Sequence, residues 1–156
     1  MRYVELHCKS NFTFLHGASH PDELVFRAAA LGYEGLALTD SETLAGVVRG
    51  FGAARDVRSG EAMEVDTAEP VHVPGFRYLV GAEVHPTDAS SMVLWPTDRA
   101  AYGRLCQLLS RGRLRAPKGE CDLRLEDVAE FSDGMIAGAF VTDPNRIDIA
   151  ESESEV

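Results

Sequence analysis

Three side chains that can bind metal ions each lie at the end of a short strand-like run. These are His7, Asp40 and Glu83, and the runs before them are alternating or apolar in the way that predicts β-strands. Side chains at the carboxyl ends of parallel strands converge on one rim of an α/β sheet or barrel, so residues far apart in sequence can share one ion. The sequence therefore indicates a candidate metal site.

His85 is a further candidate ligand. It lies two residues after Glu83, so on a strand both side chains point to the same face. The alternative is that His85 is a polar side chain at the end of a strand, before Pro86.

The remaining pattern alternates between strands and helices, which predicts an α/β fold with mainly parallel strands and right-handed crossovers. Ser19 is predicted to cap the first helix, and the second helix is predicted to carry one apolar face, formed by Leu44, Val47, Val48 and Phe51. Strands are predicted at residues 2–8, 35–39, 76–84, 91–95 and 135–140, and helices at 21–31, 44–57, 98–110 and 125–131.

The length of 156 residues suits one domain but is short for an eight-unit barrel, which takes about 250 residues. We therefore expect a partial or reduced barrel over residues 1–142. An irregular acidic loop is predicted at about 58–75 and an acidic, disordered tail at 143–156. Three widely spaced cysteines and the lack of a signal peptide or long apolar run predict a cytoplasmic protein with free thiols.

Several short motifs occur in one order and at consistent spacing: Glu5-Leu6-His7-Cys8, Gly17-Ala18-Ser19-His20-Pro21, Ala37-Leu38-Thr39-Asp40, Gly81-Ala82-Glu83 and Ala116-Pro117-Lys118-Gly119. Together they resemble the PHP (polymerase and histidinol phosphatase) domain of bacterial C-family DNA polymerase alpha subunits, and most of all the error-prone, translesion branch. This resemblance implies a PHP-type (β/α) barrel.

The resemblance also implies ligands that this chain has lost. A metal-binding PHP site is expected to present His-x-His-Ser, Thr-Asp-His and a later histidine, whereas this chain has Lys9, Ser41 and Ser91 at those positions. A charged lysine has no lone pair for a metal. Our hypothesis is that Lys9 instead pairs with Asp40 and Glu83. The site then holds no resident cofactor; Mn²⁺ or Zn²⁺ is the expected ion if binding is retained.

Charge argues against strong direct DNA binding, because 15 basic and 25 acidic residues give a net charge of −10. One segment is basic, and we call it the basic strip. It is either a solvated helix face or a docking surface for a polymerase body, another replication or repair protein, or the acidic tail. Its members are Arg99, Arg104, Arg111, Arg113, Arg115 and Lys118.

Three functions fit these observations. The first, which we favour, is a structural or partner-docking PHP-like module of an error-prone DNA polymerase, without chemistry in this chain. The second is a metal-dependent phosphoesterase or 3′–5′ exonuclease that uses His7, Asp40 and Glu83. The third is the front part of a polymerase whose nucleotidyl transfer resides elsewhere. A partial barrel leaves strand edges unpaired, so we also expect self-association or a partner, and no membrane contact.

Overall fold

The computed structural model describes residues 2–61 and 71–140. Strands and helices alternate along most of this part of the chain, which confirms the α/β class. Their bounds are β1 (Val4–Cys8), α1 (Pro21–Ala30), β2 (Gly35–Leu38), α2 (Val47–Ser59), β3 (Arg77–Val80), β4 (Ala82–Val84), β5 (Met92–Pro96), α3 (Arg99–Arg115), α4 (Leu125–Phe131) and β6 (Met135–Ala139).

The strands form two three-stranded sheets. The first has the order β1-β2-β3 and is parallel throughout, as predicted. The second has the order β4-β5-β6 and is antiparallel, so the parallel prediction holds for only half of the strands. Within the described residues the sheets do not close into a barrel, in agreement with a partial fold.

Each sheet has its own hydrophobic core. Helices α1 and α2 cover the parallel sheet, with Val25, Val57 and Phe76 almost fully buried. Helices α3 and α4 cover the antiparallel sheet, with Leu105 and Leu123 at its centre. Burial of apolar surface against these helices is what holds each sheet in place.

Two local predictions for the helices were wrong. The residue that caps α1 is His20 rather than Ser19, because Pro21 holds the residue before it in an extended conformation. The apolar face of α2 is also different, since Val48 and Phe51 are 79% and 56% exposed. Small residues face the core there instead, and they let α2 approach closely enough for Tyr78 to reach the main chain of Val47 at 3.3 Å.

The predicted strand at 76–84 is in fact two strands in different sheets. They part at Gly81, where a Cβ atom would lie 2.8 Å from the carbonyl oxygen of Leu94. The close approach explains why glycine stands there. In the predicted acidic loop, α2 continues to Ser59, and residues 62–70 lie outside the described part, as does the predicted tail from 143.

In the described ranges, 2–61 and 71–140, no helix combines the length and the apolar composition needed to span a bilayer.

Candidate functional site

The candidate site is centred on the carboxylate of Glu83, a residue that is only 5% exposed. The Nε2 atom of His7 lies 2.7 Å from Glu83 Oε2, and the ammonium of Lys9 lies 2.9 Å from the same oxygen. The Nε2 atom of His85 lies 3.4 Å from the other oxygen, Oε1. Strand β1 and the residue after it thus supply two nitrogen groups, and the residue after β4 supplies the third.

The pKa of Glu83 reflects this environment. Burial acts to raise it, but hydrogen bonds from Lys9 and His7, together with the positive charge of Lys9, outweigh burial and hold the pKa below its usual value. Glu83 is therefore a carboxylate whose negative charge is already balanced by groups of the protein itself.

Asp40 is held by different partners from those expected. The main-chain N–H of Ser10 donates to Asp40 Oδ1 at 2.7 Å, and the Ser10 hydroxyl donates to Oδ2 at 2.7 Å. The hydroxyl of Thr13 also donates to Oδ1, at 2.7 Å. Of the two partners proposed for Lys9, the structure places Glu83 against it and gives Asp40 a shell of neutral donors.

Ser10 and Thr13 were missed as site residues by sequence reasoning. Their signal is weak, because a hydroxyl in the loop after a strand is common and its direction depends on the loop path. Here the loop turns through Leu15, whose φ of 66° is left-handed, and this turn lies between Thr13 and helix α1.

The substituted positions also lie around Glu83. Ser41 forms an isolated parallel bridge with Glu83, and the Ser91 hydroxyl lies 2.8 Å from Nδ1 of His85. A cavity of about 480 Å³ opens beside them, with Lys9 and Phe140 in its wall. Sequence reasoning therefore predicted that these residues lie together, but not which of them pair with each other.

These residues do not fit a metal ion in the arrangement that the structure shows. Both Glu83 oxygens face nitrogen groups, and both Asp40 oxygens accept hydrogen bonds from Ser10 or Thr13. Among the described residues, no group of three or more His, Cys, Asp or Glu side chains is placed to hold an ion. An ammonium lies where an additional ligand would be required.

The basic strip is largely engaged inside the molecule. Arg115 pairs with Asp127 at 2.7 Å, and Arg111 donates to Glu130 at 2.9 Å. Further internal contacts join Arg104 to Asp133 and Arg113 to the carbonyl oxygen of Glu42. The docking role proposed for this strip stays a prediction, and these four arginines are satisfied without a partner.

Asp127 gives a prediction for pH dependence. It is buried. The hydrogen bond from Arg115 lowers the pKa of Asp127 most, and burial acts in the opposite direction. The main-chain N–H of Arg124 and the side chain of Arg111 lower the pKa further, so it lies well below the usual range. A lowered pKa contributes stability that is present above the unfolded-state pKa of about 3.9 and is lost as pH falls through the folded-state pKa. We expect Asp127→Asn to lower the free energy of unfolding at pH 7 by about 2–4 kcal/mol and to flatten its decline in acid.

Urea unfolding at a series of pH values checks this. The matched control is Glu126→Gln, one residue earlier on the exposed side of α4, which should change stability by less than about 0.5 kcal/mol. Equal acid dependence of Asp127→Asn and the wild type would contradict the assignment.

The sequence comparisons agree with one another. The family model described as PHP domain matches residues 5–150. An error-prone DNA polymerase of Rhodopirellula baltica is 60% identical over 94% of this chain, and one of Rhodopseudomonas palustris is 46% identical over 84%. The chain spans 11% and 10% of these two relatives, or about a tenth of their length.

A solved structure shares the fold. The lesion-specific endonuclease PfuEndoQ from Pyrococcus furiosus matches with a TM-score of 0.52 over 87% of this chain and 33% of its own, at 14% identity. Identity this low speaks for the fold alone. The comparisons thus support a partial form of a known α/β architecture.

Proposed function

Because the chain belongs to the PHP domain family, we propose that it is a structural and partner-docking module of DNA replication and repair whose former metal site no longer carries out chemistry. It is homologous to a segment of error-prone DNA polymerases. We place its work in the cytoplasm, beside a polymerase body or another replication or repair protein.

One contact carries this proposal. The ammonium of Lys9, 2.9 Å from Glu83 Oε2, occupies the position of a missing histidine and supplies the positive charge that a bound cation would supply. Buried charges need a partner of opposite sign, and Lys9 provides it permanently. The cluster is therefore held together without an ion.

The roles of the other residues follow from this pairing. His7 and His85 lie on either side of the carboxylate, and each contacts one of its oxygens. Ser91 contacts the second nitrogen of His85 and so fixes the orientation of that ring. Side chains that would hold a metal in a complete site thus serve here to link β1 to β4 across the two sheets.

A metal-dependent phosphoesterase or 3′–5′ exonuclease is the second candidate. It is favoured by the convergence of two imidazoles on one carboxylate, since these groups are common metal ligands. It requires Lys9 to leave Glu83 and a further ligand to be found. The present pairing disfavours it.

Hydrolysis assays separate the two functions. With Mn²⁺ or Zn²⁺ added, we expect the purified protein to release no phosphate from a chromogenic phosphate monoester. We also expect it to release label from 3′-labelled single-stranded DNA no faster than an Asp40→Asn preparation, which sets the background rate. Hydrolysis that depends on both the added metal and Asp40 would instead establish the second candidate.

A further inference from the structure

We propose that the outer edge of β6 (Met135–Ala139) is a dimerisation site that pairs with the same strand of a second copy of this chain. Strand β6 is the last strand of the antiparallel sheet, and among the described residues its main chain pairs on one side only, with β5. A strand edge presents unpaired N–H and C=O groups, which are a ready template for another strand.

The outer edges of β1 and β4 are engaged by neighbouring groups. On β1, the N–H of His7 donates to the Glu5 side chain at 3.0 Å, and the carbonyl of Leu6 accepts from the indole of Trp95 at 3.0 Å. On β4, the N–H of Glu42 donates to the carbonyl of Glu83 at 2.8 Å. Side chains and neighbouring main chain thus satisfy groups on these two edges. Within the described ranges the outer edge of β3 is unpaired like that of β6, but β3 carries a charged residue, Arg77, which protects an edge.

The composition of β6 favours pairing. The strand contains no charged residue and no proline, the two devices that commonly protect an edge. Ile136 is 59% exposed although it is a large aliphatic side chain, and Ala137 and Ala139 are exposed as well. The edge therefore offers both main-chain groups and apolar surface.

A second copy is a suitable occupant because β6 is self-complementary. In an antiparallel two-fold pairing centred on Ala137, Ile136 of each copy lies opposite Gly138 of the other, so the largest exposed side chain meets the smallest residue. No like charges face each other across this pairing, because the strand has none. The interface is isologous and closes on itself.

The net charge of −10 sets how strong the association can be. Two copies repel each other, and a five-residue strand pair buries less than the roughly 1,200 Å² of a stable interface. We therefore expect a weak dimer with a dissociation constant of roughly micromolar to millimolar. Salt should strengthen it by screening the repulsion, the opposite of what ion pairing predicts.

Sedimentation velocity of the full chain over about a hundredfold range of concentration, at low and high salt, tests the proposal. We expect a monomer–dimer equilibrium that shifts toward dimer with salt. We also expect amide exchange of Ala137 and Ala139 to slow as dimer forms, because alternate residues of β6 direct their N–H groups away from β5. Ile136→Lys should weaken association at least about tenfold, because two lysines flank the paired edge. The control, Leu114→Lys, places the same charge at an 88% exposed site on α3 and should leave the dimer intact.

Circular dichroism and thermal melting establish that both variants are folded. If Ile136→Lys itself proves unstable, Ile136→Thr is the second variant. It keeps a β-branched side chain and adds no charge, so it should retain most of the dimer. A monomer at every concentration and salt would overturn the proposal. So would a dimer that is equally sensitive to both lysine variants, or that leaves β6 amides unprotected. This inference rests on the proposed docking role and names a second copy of the chain as the partner. Sedimentation tests the dimer and metal binding tests the proposed function, so one of the two proposals can fail while the other stands.

Discussion

Replacing Lys9 by histidine is expected to turn the site into one that binds a metal ion. The substitution removes the ammonium that now contacts Glu83 and puts a nitrogen ligand into the His-x-His pattern that begins at His7. With Glu83 and His85 nearby, four protein groups become available, the number that a tetrahedral zinc site uses. We expect Zn²⁺ affinity to rise at least about a hundredfold over the wild type, since a direct ligand contributes more than the ten- to hundredfold of an outer partner.

Competition of Zn²⁺ between the protein and a chromophoric chelator measures this gain. Lys9→Met is the matched control, because it removes the same positive charge and adds no ligand. If Lys9→Met binds Zn²⁺ as tightly as Lys9→His, charge alone kept the ion out. If Lys9→His stays folded and gains no affinity, the surrounding groups are not the remains of a metal site.

Replacing Asp40 by alanine is expected to cause a large loss of stability. Asp40 is 1% exposed, and its carboxylate accepts three hydrogen bonds, two from Ser10 and one from Thr13. Removal leaves three buried donors without an acceptor, and each such group costs about 1–3 kcal/mol. We expect the free energy of unfolding to fall by about 3–5 kcal/mol, measured by urea unfolding at pH 7.

Asp133→Ala provides the comparison for Asp40→Ala. Asp133 is an aspartate whose side chain is 89% exposed and which pairs with Arg104 at 3.3 Å, so its loss should cost less than about 1 kcal/mol. A loss of similar size for both variants would mean that the donors around Asp40 find other acceptors, and that Asp40 does not organise the loop after β1.

The elements that sequence predicted best are those with a local signal. The helix bounds of α4 agree at both ends, and α3 begins within one residue of its predicted start at 98. Asp98 is the N-cap of α3, and its side chain accepts from the N–H of Ala101 at 2.7 Å. Helix α3 also runs five residues past its predicted end at Ser110, to Arg115. Its last turn is stabilised by Asp127, which comes from α4 and gives no signal in the sequence of α3 itself.

Non-local features were the ones that sequence could not supply. The separation of β3 from β4 depends on the approach of the Leu94 carbonyl to Gly81, and the antiparallel second sheet depends on how β5 returns beside β4. Periodicity reports which residues face a core, but it does not report which strand will lie alongside.

The candidate site shows the same division. The convergence of His7 and Glu83 follows from the rule that strand ends share a rim, and it could be predicted. The pairing of Lys9 with Glu83 rather than with Asp40 could not be predicted, because it depends on the loop that carries Ser10. In that loop the Ser10 N–H and hydroxyl donate hydrogen bonds to Asp40. The path of the short loop after β1 therefore determines that Glu83, and not Asp40, is the carboxylate paired with a cation.

The most direct test of the central claim is the metal content of the wild-type protein, purified without chelators and then titrated with Mn²⁺ and Zn²⁺. We predict no stoichiometric metal as isolated and no saturable binding at the Glu83 site, because Lys9 already balances its charge. One equivalent of tightly bound metal that is lost in Asp40→Asn and in Glu83→Gln would contradict this account. That result would show that Lys9 yields its place to an ion and that the site retains its chemistry.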